Sequence, residues 1–92
     1  MDNSNNQPYI KLLSEKDTGP AAIKKRSVVI ASHRTSISLE NIFWNLLRDI
    51  AKQQGKSVNQ LVSEVDRGRS GNLSSALRTY VLLMQMGEKW AS

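Results

Sequence analysis

The chain contains no cysteine, which excludes a disulfide framework and a thiolate metal site and fits a reducing compartment. Its single histidine, His33, rules out a histidine-rich metal centre and a His-pair catalytic site. No nucleophile–base pair, carboxylate dyad, Gly-rich phosphate loop or metal-ligand spacing is present, so neither enzymatic activity nor a cofactor is expected. No apolar run approaches the ~18 residues that would suggest a membrane span, and the N-terminus is too polar for a secretory signal. A cytoplasmic protein without a membrane partner is therefore expected. Aromatic residues are few, with one Phe, two Tyr and two Trp. With 39% hydrophobic residues in 92, the core of a single small domain would be thin, and dimerisation is the obvious remedy.

What is present is positive charge, unevenly placed. The net charge is +5. Lys24, Lys25, Arg26 and Arg34 lie in a stretch without an acid, just before and at the start of the segment His33-Arg34-Thr35-Ser36-Ile37-Ser38-Leu39. That segment alternates. Thr35, Ile37 and Leu39 fall on one side, and Arg34, Ser36 and Ser38 on the other, the period-2 pattern of a half-buried strand. A cationic run beside a polar-faced strand points to a polyanion rather than to a merely solvated surface. No further convincing strand follows, and a lone strand must find a partner for its backbone groups. The simplest partner is the same strand of a second copy, paired antiparallel about a two-fold axis. The ridge of Arg and Ser so formed is short, polar and donor-rich, a shape suited to the major groove of DNA.

Residues 1–23 read as a flexible arm, rich in Asn, Gln, Ser, Asp and Lys, with Tyr9-Ile10-Lys11-Leu12-Leu13 as its apolar spot. The β-branched run Ser27-Val28-Val29-Ile30-Ala31 either extends the strand or covers its edge. A first helix begins near Ser38 to Glu40, with Ser38 as candidate N-cap, and carries the stripe Leu39, Phe43, Leu46, Leu47, Ile50 and Ala51. It stops at Gly55. Ser57-Val58-Asn59-Gln60 is a capping box opening a short second helix, which ends by Asp66. A basic loop, Arg67-Gly68-Arg69-Ser70-Gly71, leads to Asn72, the cap of a third helix over 73–86. Leu82, Leu83 and Met86 give that helix a second apolar side, expected at an interface. Residues 24–86 thus form the domain and 87–92 a frayed tail in which Trp90 has no evident role.

The string HRTSISLENIFWNLLRDIA, then G-x-S and NLSSALRTYVL, resembles the ribbon-helix-helix DNA-binding family, and one bacterial branch of it in particular, over about residues 26–84. The resemblance implies a mainly α fold with one short strand, an intertwined homodimer built on a two-stranded antiparallel intersubunit ribbon, and here an additional C-terminal helix. It implies base reading by Arg34, Ser36 and Ser38. It also implies a phosphate anchor at the second helix N-terminus, formed by the N–H groups of Val58 and Asn59 and the Ser57 hydroxyl, with Lys56 adding charge. Lys24, Lys25 and Arg26 would flank the groove near phosphates. Ile37, Leu39, Phe43, Leu47, Leu61 and Val65 would form the dimer core. Arg67 and Arg69 are expected either to reach DNA or, as the favoured alternative, to solubilise a loop at the far end of the dimer, and His33 to contact phosphate or bond within the turn. The function implied is a sequence-specific double-stranded DNA-binding homodimer, a transcriptional repressor or regulator. The alternative is an antitoxin-like or adaptor module that grips a protein partner with its arm or third helix.

Overall fold

The computed structural model describes residues 19–87. The Tyr9–Leu13 spot and Trp90 lie outside these residues. Within them the β-branched run up to Ile30 belongs to a strand of its own. β1 (Ile23–Ile30) pairs antiparallel with β2 (His33–Glu40) in one two-stranded sheet. The expectation of a single strand is thereby corrected, since β2 already finds one partner within its own chain. The residues joining the strands, Ala31 and Ser32, both have positive φ, at 52° and 67°. That handedness matches the twist of the flanking strands and permits the tight reversal, although such turns favour Asn and Gly.

The register places Lys25 opposite Ser38, Ser27 opposite Ser36 and Val29 opposite Arg34. Cross-strand partners share a face, so these six side chains line one side of the hairpin. The other side carries Val28, Ile37 and Leu39, all buried.

Three helices follow: α1 (Asn41–Gln53), α2 (Val58–Gly68) and α3 (Leu73–Gln85). Ser38 does not cap α1. It lies inside β2, and the N-cap is Glu40, whose side chain makes no capping bond. Backbone carbonyls perform the task instead. Asn41 N–H donates to Ala22 O and Ile42 N–H to Pro20 O, each at 2.9 Å. Residues 19–22, read as the end of an arm, thus satisfy donors that a helix start leaves open. At its other end α1 closes in a Schellman motif. Gly55 takes φ 69°, its N–H donates to Lys52 O at 3.1 Å, and Lys56 N–H donates to Ala51 O at 2.9 Å.

The capping box of α2 forms as expected. Ser57 Oγ accepts from Gln60 N–H at 3.0 Å, and Gln60 Oε1 accepts from Ser57 N–H at 2.8 Å. α2 runs to Gly68 rather than ending by Asp66, which shortens the basic loop. Asn72 Oδ1 caps α3 by accepting from Ser75 N–H at 3.1 Å.

Ile37, Leu39, Leu47, Leu61 and Val65 are buried with Val28, Ile50, Val62, Leu77 and Val81 in one core, and Phe43 packs against it partly exposed. Five of the six residues expected to form a dimer core, all but Phe43, are therefore buried within one chain, with α3 and β1 supplying the remaining cover. Two polar ties hold α3 across this core. Arg78 Nε donates to Glu40 Oε1 at 2.8 Å, and Gln54 Nε2 donates to the Tyr80 hydroxyl at 3.0 Å.

Candidate nucleic-acid interface

The hairpin's outer face is polar because its inner face is committed to the core. Arg34, Ser36 and Ser38 of β2 are exposed there, as are Lys25 and Ser27 of β1. With Ser38 freed from capping, its hydroxyl belongs to the same surface as those of Ser27 and Ser36. This leaves a floor of short hydroxyl side chains with Lys25 and Arg34 as the long cations. Lys24, opposite Leu39, starts on the other side of the hairpin from Lys25, but at the start of β1 its side chain is exposed.

Arg26 is different. Its alternation turns it inward, opposite Ile37, where it is partly buried. One Nη donates to Asn41 Oδ1 at 2.7 Å, the guanidinium lies over the Trp44 ring, and Nε is buried without a hydrogen-bond partner. The Arg26 guanidinium is thus engaged within the domain, unlike the exposed side chains of Lys24 and Lys25. The period-2 rule, applied to β1 as well as β2, is the signal that separates it from Lys25.

The α2 N-terminus lies beside the outer edge of β1. Asn59 Oδ1 accepts from Val29 N–H at 3.2 Å. The capping box occupies the Gln60 and Ser57 N–H groups, which leaves those of Val58 and Asn59 as the free donors of the first turn. Ser57 Oγ accepts one bond and keeps its own O–H to donate. Lys56, beside it, is not a free charge. Its Nζ pairs with Glu64 Oε1 at 2.8 Å with both side chains about one-third exposed. The strand edge and the helix start, which sequence spacing alone could not relate, are thus brought together by one side chain.

Arg67 and Arg69 do not lie remote from the ribbon. Arg67 shares a shallow groove with Val29 and Asn59. Arg69 pairs with Asp66 at 2.7 Å, donates to the Gly71 carbonyl, and lines an open groove with Ser36 and Ser38 of β2. His33 is exposed opposite Ile30 at the turn, and its ring makes no hydrogen bond among the described residues. Among those residues no group of three or more His, Asp or Glu is placed to hold a metal ion, and no helix is long and apolar enough to cross a membrane.

Glu40, at the junction of β2 and α1, has its carboxyl held below the usual range. The Arg78 hydrogen bond lowers it most, burial opposes the shift, and a backbone hydrogen bond and the Arg78 charge add to the lowering.

No curated protein matches the chain. Among solved structures it is similar to an uncharacterized protein from Bordetella pertussis Tohama I. The identity is 26%, the TM-score 0.68, and the match covers 92% of this chain and 70% of that one. The family model described as the ribbon-helix-helix domain, whose members are typically DNA-binding regulators, matches residues 23–84. That span contains the hairpin, the tight α1–α2 turn and nearly all of α3, so the chain belongs to the ribbon-helix-helix domain family.

Proposed function

We propose that this protein is a sequence-specific DNA-binding homodimer of the bacterial cytoplasm that regulates transcription, most simply as a repressor. The observation that carries this reading is the hairpin's outer face, where Arg34, Ser36 and Ser38 are exposed in register with Val29, Ser27 and Lys25. Arg34 can donate a bidentate pair to guanine O6 and N7, and the serine hydroxyls can donate to or accept from several base edges. Lys24 and Lys25 supply counter-charge to phosphates. The free N–H groups of Val58 and Asn59, with the Ser57 hydroxyl, suit a phosphate oxygen at the positive end of the helix dipole. Lys56 joins them only when it leaves Glu64.

The dimer in this reading uses the remaining edge of β2. A two-stranded sheet leaves that edge unpaired, and a second copy added about a two-fold axis near Ser36 brings both sets of Arg34, Ser36 and Ser38 side by side. Beside the edge runs the open groove that includes Ile30, Ile37 and Leu73. The central strands, about 4.8 Å apart, fit a major groove about 12 Å wide. β1 and the α2 N-terminus then fall toward the phosphate walls.

The test is selection of bound duplexes from random or genomic DNA, followed by affinity measurements on the enriched sequence and on a scrambled one. Enrichment of a two-fold-related motif supports the reading, and retention of no sequence over background sinks it.

One observation favours a second role beside the first. Leu82 of α3 and Met86, the C-cap one turn on, are 56% and 65% exposed, an apolar pair at the surface of the described residues. An antitoxin-like or adaptor function would place a protein partner there. Loss of co-purification with such a partner in a Leu82→Asp variant, with DNA selection unchanged, would separate the two roles.

A further inference from the structure

We infer that Asn59 is a positioning residue that fixes the distance between the phosphate anchor and the base-reading ribbon, an inference that rests on the DNA-binding reading. One residue touches both parts of the surface. Its backbone N–H is one of the free donors at the start of α2, while its side-chain oxygen accepts from Val29 N–H at 3.2 Å across 30 residues of sequence.

Val29 is itself the register partner of Arg34. The residues beside the two-residue turn, Ile30 and His33, form a hydrogen-bonded pair in such hairpins, so Val29 and Arg34 form the next, non-bonded pair. Their N–H groups therefore point away from the hairpin. That of Val29 meets Asn59, so the outer edge of β1 is tied at this point to α2. The path from phosphate to base is short: the Asn59 backbone, the Asn59 amide, the Val29 backbone and then its cross-strand neighbour Arg34.

The physical consequence concerns specificity more than affinity. A phosphate held at the α2 N-terminus sets where the duplex wall lies, and the latch sets where Arg34 lies relative to that wall. If the latch is cut, each part can still bind, but the two are no longer held at one fixed spacing. Non-specific DNA tolerates that loosening because phosphates repeat along the duplex. A specific site does not, since bases and phosphates must be met together.

The test uses the full chain with two variants. Asn59→Ala removes the acceptor and keeps the backbone N–H. Val29→Pro removes the donor, and proline is tolerated there because this N–H serves no hairpin bond. Affinities are measured for the enriched duplex and for a scrambled one, with thermal unfolding to confirm that each variant is folded. Asn59→Ala is expected to lower the specific-to-scrambled affinity ratio about 5- to 10-fold, the equivalent of one net neutral hydrogen bond. In a Val29→Pro background the same substitution is expected to add nothing, since the bond is already absent. A merely structural role would lower the unfolding temperature and both affinities alike. The inference is overturned if the ratio stays constant, or if the two substitutions act additively, while the wild type remains selective. A wild type that selects no DNA removes the DNA-binding reading and the inference together, an outcome distinct from the other two.

Discussion

The guanidinium of Arg26 lies 4.7 Å from the centroid of the Trp44 ring. From this position it donates to Asn41 Oδ1, and Asn41 Nδ2 in turn donates to the Gly19 carbonyl at 2.9 Å. Strand β1, helix α1 and the segment entering the domain are thus joined through one cation. A cation that the resemblance places near phosphates thus also ties the hairpin to the rest of the domain.

Arg26→Ala is accordingly expected to destabilise the domain by about 1–3 kcal/mol, combining a partly desolvated cation–π interaction with a charge-assisted hydrogen bond. Lysine should restore only part of this, because an ammonium cannot stack and bond in the same plane. Chemical denaturation of both variants measures the effect. Unchanged stability together with a smaller salt dependence of DNA binding would return Arg26 to the phosphate-binding set.

The Ala31–Ser32 turn gives a second prediction. Each residue holds a left-handed conformation that costs an ordinary L-residue about 1–2 kcal/mol. Replacing the pair by Asn-Gly, the residues such turns favour, is expected to raise stability by about 1 kcal/mol or more. A loss of stability would mean that the strands do not reverse at this point.

The same turn explains what could be read from the chain and what could not. The helices were legible because their punctuation is chemical: Gly55, Ser57 with Gln60, and Asn72 stand where the structure uses them. The alternation in β2 was legible because the pattern separates Arg34, Ser36 and Ser38 from Ile37 and Leu39. The hairpin was not, because Ala-Ser carries no turn signature and the paired strands on either side stabilise a conformation that the residues do not prefer. The capping of α1 was hidden for a related reason. It is done by the carbonyls of Pro20 and Ala22, and backbone groups have no residue signature. The Asn59–Val29 bond spans 30 residues, and no local pattern announces it.

Acid should weaken the tie between α3 and the ribbon–helix junction. The Glu40 pKa is lowered in the folded state, so its contribution is present above the ordinary glutamate pKa. That contribution is lost as pH falls through the lowered value, when the carboxylate protonates and Arg78 loses its acceptor. Glu40→Gln should therefore flatten stability between neutral pH and pH about 3, the side on which carboxylates titrate. With side chains 33% and 23% exposed, the pair is worth about 0.5–1 kcal/mol near neutral pH. Urea denaturation at a series of pH values is the measurement. An identical slope in wild type and variant would show that other carboxylates set the acid limit.

Self-association should be separable from folding. Because β1 satisfies one edge of β2 and the core closes within a chain, a monomer has its own hydrophobic centre. Ser36→Pro removes an N–H that the register points away from β1, so it should leave the hairpin paired while blocking the open edge. Sedimentation is expected to give a dimer for the wild type and a monomer for this variant, with helical content retained in both. A dimer that survives the substitution would place the interface elsewhere, with the Leu82–Met86 face of α3 the first alternative.

DNA binding should divide into a charge-driven part and a base-reading part. With Arg26 engaged by Asn41 and Trp44, Lys24 and Lys25 are the exposed flanking cations in this reading, and two subunits supply four of them. Each phosphate neutralised contributes about −0.9 to the slope of log affinity against log salt, so these residues account for about −4 in a dimer. Lys25→Ala is expected to weaken binding to every duplex alike and to flatten the slope by about 1 to 2 units. Arg34→Ala should instead cost about 1–3 kcal/mol for each guanine it no longer reads and relax the selected motif, because Arg34 lies closer to the proposed two-fold axis and carries the guanidinium that matches guanine. Ile37→Ser should abolish both parts, since Ile37 is 4% exposed beneath the ribbon and a hydroxyl there leaves both faces of the hairpin unsupported. The decisive comparison is the motif selected by folded Arg34→Ala protein. If it equals the wild-type motif, Arg34 binds phosphate only, and the reading of bases falls to Ser36, Ser38 and their neighbours on β1.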